Sequence, residues 1–310
     1  MKIFDNLSNL RHWFRISTGR NVLCFNKYFV KVHTDAYDAL YEYQMLLEIY
    51  RHKPTEFRVP RAFKLLKTSK RNIIIMEHIK GSSLDTYILN FILKHDLKAI
   101  KIFYKIGKAV RELHYLPLSG LRKTSLPFSY LKLVDETIKL AKRAVVLGLL
   151  GEDVLEPISY IIRELNDVIE LFKPVNLHGE LYFSHVIISD GRVPVFIDFH
   201  NAQIGPTYFD LVMFSISLYG SAIFLPWHPW KLVPLIEAFL QGYFGGKINS
   251  ELWRILAFAE LYITLREILN YVEVLNHEVP RRIKLLNMIK IMRLKKTLSQ
   301  VVLPRLIRKS

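Results

Sequence analysis

Residues 176–189, "NLHGELYFSHVIIS", put two histidines and one glutamate within eight positions, and residues 193–203, "VPVFIDFHNAQ", follow with an apolar run that ends at the carboxylate of Asp198. Two readings compete: a catalytic loop, or a polar turn between two buried strands. "HVIIS" and "VPVFID" are β-prone and are joined by "DGR", a turn signal, so a hairpin is predicted. Folding it would carry Glu180 and His185 toward Asp198. A carboxylate that ends an apolar strand is pushed out of the core into a cleft, where it suits a hard cation such as Mg²⁺. A nearby carboxylate can accept a proton from an attacking hydroxyl, and an imidazole can ligate metal or bind phosphate. Each residue alone has a plainer reading. Asp198 would be a strand-end acid satisfied by backbone amides, and His178 a loop histidine bonded to nearby backbone. A zinc site from His178 and His185 matches no common ligand spacing.

Upstream, "NVLCF" and "YFVKV" flank "NK" and read as a hairpin within residues 11–32. Lys31 interrupts the second run, and alternation turns it to the face opposite Val30 and Val32, toward a cleft beside the sheet. "YDALYEYQMLLEIYRH" has helical spacing at Leu40, Met45, Leu46 and Ile49, and Glu42 on it is a natural ion-pair partner for Lys31. "RVPRAFKLL" and "NIIIMEHI" read as two more strands. Helices are then predicted over Leu84–Leu93, Ala99–Tyr115, Phe128–Leu147 and Pro157–Leu171, and again from Tyr208 onward. The picture is an α+β chain of two lobes. Residues 1–78 form a small β-rich lobe, and residues 79–310 a helical one carrying the hairpin at 176–199.

The 310 residues, 51% hydrophobic, can bury a sizeable core. A single cysteine, Cys24, supplies neither a disulfide nor a zinc set, and the opening "MKIFDNLSNLRHWF" has no export pattern, so a cytosolic location is expected. Residues 211–230 are uncharged but contain Ser, Gly, two Pro and a His, which favours a buried helix and loop over a membrane span. The net charge of +16 is concentrated near the end, where residues 281–310 hold ten Lys or Arg and no acid. There Ile283, Leu286, Ile289 and Met292 recur three apart, so a basic amphipathic helix is predicted. It would either dock on the body with a solvated basic face or touch an anionic membrane peripherally. It has no aromatic residue for base stacking, so nucleic acid is not an expected partner.

In order along the chain, these segments resemble the protein-kinase-like superfamily, most closely the aminoglycoside and choline phosphotransferase type, with further similarity to the lipopolysaccharide core sugar kinases. "STGRNVLCFNKYFVKV" looks like the nucleotide-loop hairpin, "EYQMLLEIY" like the helix with the glutamate partner, and "IIIMEHIKGSSL" like the strand and hinge that hold adenine. "IGKAVRELHYL" is similar to the helix before the catalytic segment. "HGELYFSHVII" falls where the families carry H-G-D-x-x-x-x-N, and "FIDFHNAQ" where they carry the metal aspartate. The resemblance implies a two-lobed kinase-like fold that binds ATP with Mg²⁺, or Mn²⁺ in its place. By residue it implies Gly19 in the nucleotide loop, Lys31 on the phosphates, Glu42 holding Lys31, and Glu77, His78 and Ile79 at the hinge. It further implies Glu180 as base, His185 and Asp198 as metal ligands, and Asp210 as the acid bracing the catalytic loop.

The expected activity is transfer of the γ-phosphate to a hydroxyl of a small molecule, a sugar or a lipid-linked glycan. Two departures from the pattern define the rival reading. Glu180 replaces an aspartate, which moves the carboxylate by roughly an ångström, and displacements of that size cost about a hundredfold in rate. Only Gly19 remains of the loop glycines. The rival is therefore a catalytically impaired scaffold that binds nucleotide or a partner. A protein serine/threonine kinase is disfavoured, because about a dozen residues separate Asp198 from Asp210, too few for a peptide-docking activation segment.

Overall fold

A computed structural model describes residues 22–25, 27–68, 71–151, 169–221 and 229–275, with eight isolated positions between 284 and 302. Gly19 and most of the helix expected over residues 157–171 lie outside the described residues. So does most of the basic segment 281–310, although Lys284, Met288, Ile291, Met292, Leu294 and Lys295 are helical.

The first lobe is a four-stranded antiparallel sheet in the order β1-β2-β4-β3, formed by β1 (Val22–Phe25), β2 (Tyr28–His33), β3 (Ala62–Lys67) and β4 (Asn72–Glu77). Between β2 and β3 runs α1 (Ala36–His52). Asp35 caps it by accepting from the Tyr37 and Asp38 amides at 2.7 and 2.9 Å, satisfying donors that the first turn leaves unpaired. Ala39, Glu42, Met45, Leu46 and Ile49 recur at helical spacing and form its buried face. The third strand starts later than "RVPRAFKLL" suggests. Pro60 has no amide hydrogen for a ladder, and Arg58 instead bridges Val195 of the second lobe, its N–H donating to Pro194 O and its carbonyl accepting from Phe196 N. The Phe57 and Phe196 rings meet at 5.0 Å beside this bridge.

The remainder is mainly helical, with two small sheets embedded in it. β5 (Ser82–Ser83) leads into α2 (Leu84–Lys94) and α3 (Lys98–Tyr115). β6 (Arg122–Lys123) precedes α4 (Tyr130–Val146), which begins after the Ser129 cap and not at Phe128. Then come β7 (Pro174–Leu177), β8 (Val186–Ser189), β9 (Val193–Phe196) and β10 (Gln203–Pro206). The hairpin predicted around "DGR" is β8–β9, with β5 added at its edge, and β10 lies between β6 and β7 in the other sheet. The C-terminal layer is α5 (Tyr208–Ser221), α6 (Val233–Phe244) and α7 (Ser250–Leu275), the last buried continuously from Ile255 to Leu265. No described helix is long and apolar enough to cross a membrane.

Helices α3 and α6 cross at backbone contact, which glycine permits on both sides. A Cβ on Gly107 would lie 1.9 Å from Phe239 O, and one on Gly242 would lie 1.9 Å from Tyr104 O. Phe103, Phe214 and Phe239 pack around the crossing, with ring centroids 5.7 and 4.4 Å apart. Gly107→Ala should force the helices apart and lower stability by about 1–3 kcal/mol, the usual cost of overpacking. Urea unfolding would show a lower midpoint at unchanged slope. Gly246→Ala, with nothing within 4 Å of the added methyl, should leave the midpoint in place.

Candidate active site

Lys31 on β2 reaches Glu42 on α1 and Asp198 after β9. Its Nζ lies 2.8 and 2.7 Å from the two Glu42 oxygens and 2.6 Å from Asp198 Oδ1. Glu42 is 1% exposed, so its carboxylate depends on Lys31 for charge compensation. His33, two residues along the same strand face, places Nε2 2.9 Å from Glu42 Oε2. Asp198 adopts left-handed backbone, φ 71 and ψ 60. Asp tolerates that conformation better than most residues, and its carboxylate is held by both Lys31 and His200, whose Nδ1 donates at 2.6 Å. Burial alone would raise the Asp198 pKa, but the His200 hydrogen bond and the Lys31 charge outweigh it and hold the carboxyl far below its usual range. The same hydrogen bond raises His200.

The segment 178–185 is tied down by Asp210 at the start of α5. Asp210 Oδ2 accepts from the His178 amide at 2.7 Å and Oδ1 from the Gly179 amide at 3.1 Å. His114 Nε2 donates to Oδ2 at 3.2 Å, and its Nδ1 meets Tyr243 OH at 2.8 Å. Asp210 and His114 are fully buried, so this network keeps the loop in one conformation at low dielectric. Gly179 has φ +84, and a Cβ there would lie 1.8 Å from Asn201 O, so glycine lets the two site loops touch. His178 donates Nε2–H to Ile197 O at 2.9 Å and packs on Phe199 at 4.5 Å. It fixes the loop, as its position ahead of the glycine suggests. Burial lowers its pKa to about 4.

Glu180 and His185 are brought to Asp198 by this loop. His185 donates Nδ1–H to Glu180 O at 2.8 Å, which leaves its Nε2 facing Asp198 Oδ2, 3.7 Å away. Glu180 Oε2 lies 3.8 Å from His200 Nε2, which Asn201 Nδ2 also approaches at 3.0 Å. His200 therefore sits between the two acids. Glu42, Asp198 and His200 can each offer a ligand atom, all within 4.8 Å of one another.

A cleft of about 180 Å³ lies against this cluster, lined by Phe29, Lys31, Met76, Ile187 and Ile197 and by Glu77, His78 and Ile79, the residues expected at the hinge. There the Glu77 side chain binds Arg58 Nη2 at 3.0 Å and the Arg61 amide at 3.2 Å. The His78 amide donates to Lys27 O at 3.0 Å, extending the β2–β4 pairing. Sequence reasoning missed His200, His114, Tyr41 and Arg122. Tyr41 donates from α1 to Ala202 O at 2.6 Å, and Arg122 lies 4.3 and 4.1 Å over the Tyr37 and Tyr41 rings. The available signal was Tyr41 beside Glu42 on the buried stripe; the partner carbonyl lies 161 positions away.

Comparison with protein families matches residues 3–258 to a group described as "Phosphotransferase enzyme family". The chain belongs to that family. Among solved structures, spectinomycin phosphotransferase in complex with ADP and spectinomycin is 15% identical over 94% of this chain and 89% of that one, with a TM-score of 0.59. A choline/ethanolamine kinase family protein from Mesorhizobium loti is 11% identical over 92% and 87%, with a TM-score of 0.56. The streptomycin–ATP–APH(2")-IIa ternary complex is 17% identical over 90% of each chain, at 0.53. These likenesses establish the kinase-like α+β fold. A search of curated proteins matched none.

Two outcomes test this geometry. Below the ordinary histidine pKa of 6.5 the unfolded chain takes up a proton that folded His178 refuses until about 4. Stability should therefore fall as pH drops through that window, by about 3 kcal/mol at 1.36 kcal/mol per unit. Urea titrations between pH 7 and 4.5 should show a shallower decline in His178→Gln. Tyr41→Phe should cost about 1–3 kcal/mol in the same assay, because the Ala202 carbonyl is left buried without its donor.

Proposed function

We propose that this chain transfers the γ-phosphate of ATP to a hydroxyl of a small molecule, in the cleft between a first lobe ending near His78 and the helical remainder. The observation that carries the reading is the Lys31–Glu42–Asp198 cluster facing a loop braced by Asp210. Phosphoryl transfer needs little covalent chemistry from the protein. It needs positioning and charge neutralisation, and this cluster supplies both. Lys31, held extended by Glu42, would pair with phosphate oxygens. Glu180 would orient the acceptor hydroxyl and take its proton. The nucleotide solved with two of the structural neighbours, ATP in one and ADP in the other, fits the donor proposed here.

The donor set suits a divalent cation. Asp198 supplies a carboxylate, and His185, with Nδ1–H on a carbonyl, presents Nε2 as the ligating atom. Mg²⁺ prefers oxygen and keeps several waters, so Asp198 would be its principal ligand, and the imidazole extends the choice to Mn²⁺. Such an ion neutralises charge on the transferring phosphate. His200 spends Nδ1–H on Asp198, and its Nε2 meets Asn201 Nδ2 at 3.0 Å, so it serves as a brace for that carboxylate.

A small acceptor is favoured over a protein side chain. Between Asp198 and Asp210 the chain is occupied by a single helical turn, Phe199–Asn201, and strand β10, which leaves no long segment to dock a peptide. A sugar or lipid-linked glycan is the acceptor class we put first. The impaired-scaffold reading rests on Glu180, and turnover separates the two. Asp198→Ala should abolish metal-dependent ATP binding in calorimetry and ATP turnover with water as acceptor. Glu180→Gln should keep binding and lose about 10²–10⁴-fold in turnover. Unchanged turnover in Asp198→Ala sinks the assignment, and wild-type binding without turnover selects the scaffold.

A further inference from the structure

The corner between α2 and α3 carries an exposed surface with no part in the site described above. Leu93 at the end of α2 is 71% exposed and Leu97, just before α3, is 64% exposed. Tyr104, two turns along α3, is 41% exposed. Lys94, Lys98, Lys101 and Lys105 surround them, all exposed, and residues 93–105 contain one acid, Asp96. That acid accepts the Lys98 amide at 3.0 Å and serves as a turn residue.

The arrangement follows from helix geometry. At 100° per residue Leu97, Lys98, Lys101, Tyr104 and Lys105 fall within an arc of roughly 120°. The opposite arc holds Ala99, Ile102, Phe103, Ile106 and Gly107, all buried against the core. The buried face accounts for the folding of α3, and nothing in that folding requires leucines at the corner tip. Leu93 and Leu97 lie on either side of the left-handed His95 that ends α2, so they form no continuous helical face for a partner helix. They can pass between lipid headgroups, while lysines keep their ammonium groups at the phosphate level and tyrosine sits at the boundary.

We propose that this corner docks on an anionic lipid surface, with Leu93 and Leu97 inserted and Lys94, Lys98, Lys101 and Lys105 paired with headgroup phosphates. The argument is charge and polarity complementarity at one place, and it stands apart from the basic segment at 281–310 and from any reading of the catalytic site. It also has a geometric consequence. α2 leaves β5, which pairs with β8 of the catalytic hairpin, and an 11-residue helix is ~16 Å long. The corner therefore lies about one short helix away from that hairpin.

The test uses the full chain in a Cys24→Ser background, with Leu97→Cys or Leu131→Cys carrying an environment-sensitive fluorophore. Leu131, 78% exposed on α4, is the control position. Vesicles of phosphatidylcholine alone are compared with vesicles containing phosphatidylglycerol. The expected result is a blue shift at position 97, and none at 131, with anionic vesicles only. Lys98→Glu/Lys101→Glu/Lys105→Glu should weaken vesicle binding on the order of tenfold, and Lys64→Glu/Lys67→Glu on the β3 edge should change it far less. Cosedimentation without a shift at 97, equal shifts at both positions, or no binding would each overturn the proposal. A shift produced by an oligonucleotide or acidic peptide but not by vesicles would also overturn it, in favour of a soluble polyanion.

Discussion

One ammonium group, Lys31 Nζ, joins three parts of the molecule that are far apart in sequence: β2, α1 and the loop after β9. It ties these elements together at the wall of the cleft. Glu42 is almost fully buried, and a bare carboxylate there would be strongly destabilising, so the sheet, the helix and the second lobe meet where Lys31 can reach both acids. The cleft forms around that requirement. Asp198 keeps a left-handed backbone while Lys31, from β2, and His200, from its own loop, hold its side chain, the kind of local strain that persists only when the surroundings over-determine it.

Asp210 has the complementary task. It satisfies the consecutive backbone amides of His178 and Gly179 and a buried histidine, and through His114 it links their loop to Tyr243 on α6. In the role proposed for it, Glu180 needs a rigid support, and the buried polar network around Asp210 provides it. The glycines at 107, 179 and 242 perform a related function by allowing backbone-to-backbone approach where any side chain would hold the elements apart.

The features legible in the sequence are those with a local physical signature. Alternation exposed Lys31 as the odd residue of its strand, helical spacing placed Glu42 on the following helix, and "DGR" marked the β8–β9 hairpin. The order of the motifs carried the family resemblance, which the family comparison bears out. The features not legible are contacts between distant segments. Nothing in "ELHYL" says that His114 is bound to Asp210, and nothing around Arg122 says that its guanidinium lies across two tyrosines of α1. The start of β3 was misplaced because Arg58 is drawn into a bridge with Val195, a tertiary pairing that local propensity does not encode.

The sequence alone therefore determined the element types, the α+β class, the order of the motifs and the candidate acids and bases, because each depends on neighbours within a few positions. Tertiary structure alone decided that His200 lies between Asp198 and Glu180, that Tyr41 fastens α1 to Ala202, and that Leu93 and Leu97 end at the surface among lysines and not in the core. The reason is one of range: periodicity records which face of an element is apolar, but which face meets which is settled only when the buried charges and the backbone contacts are satisfied together.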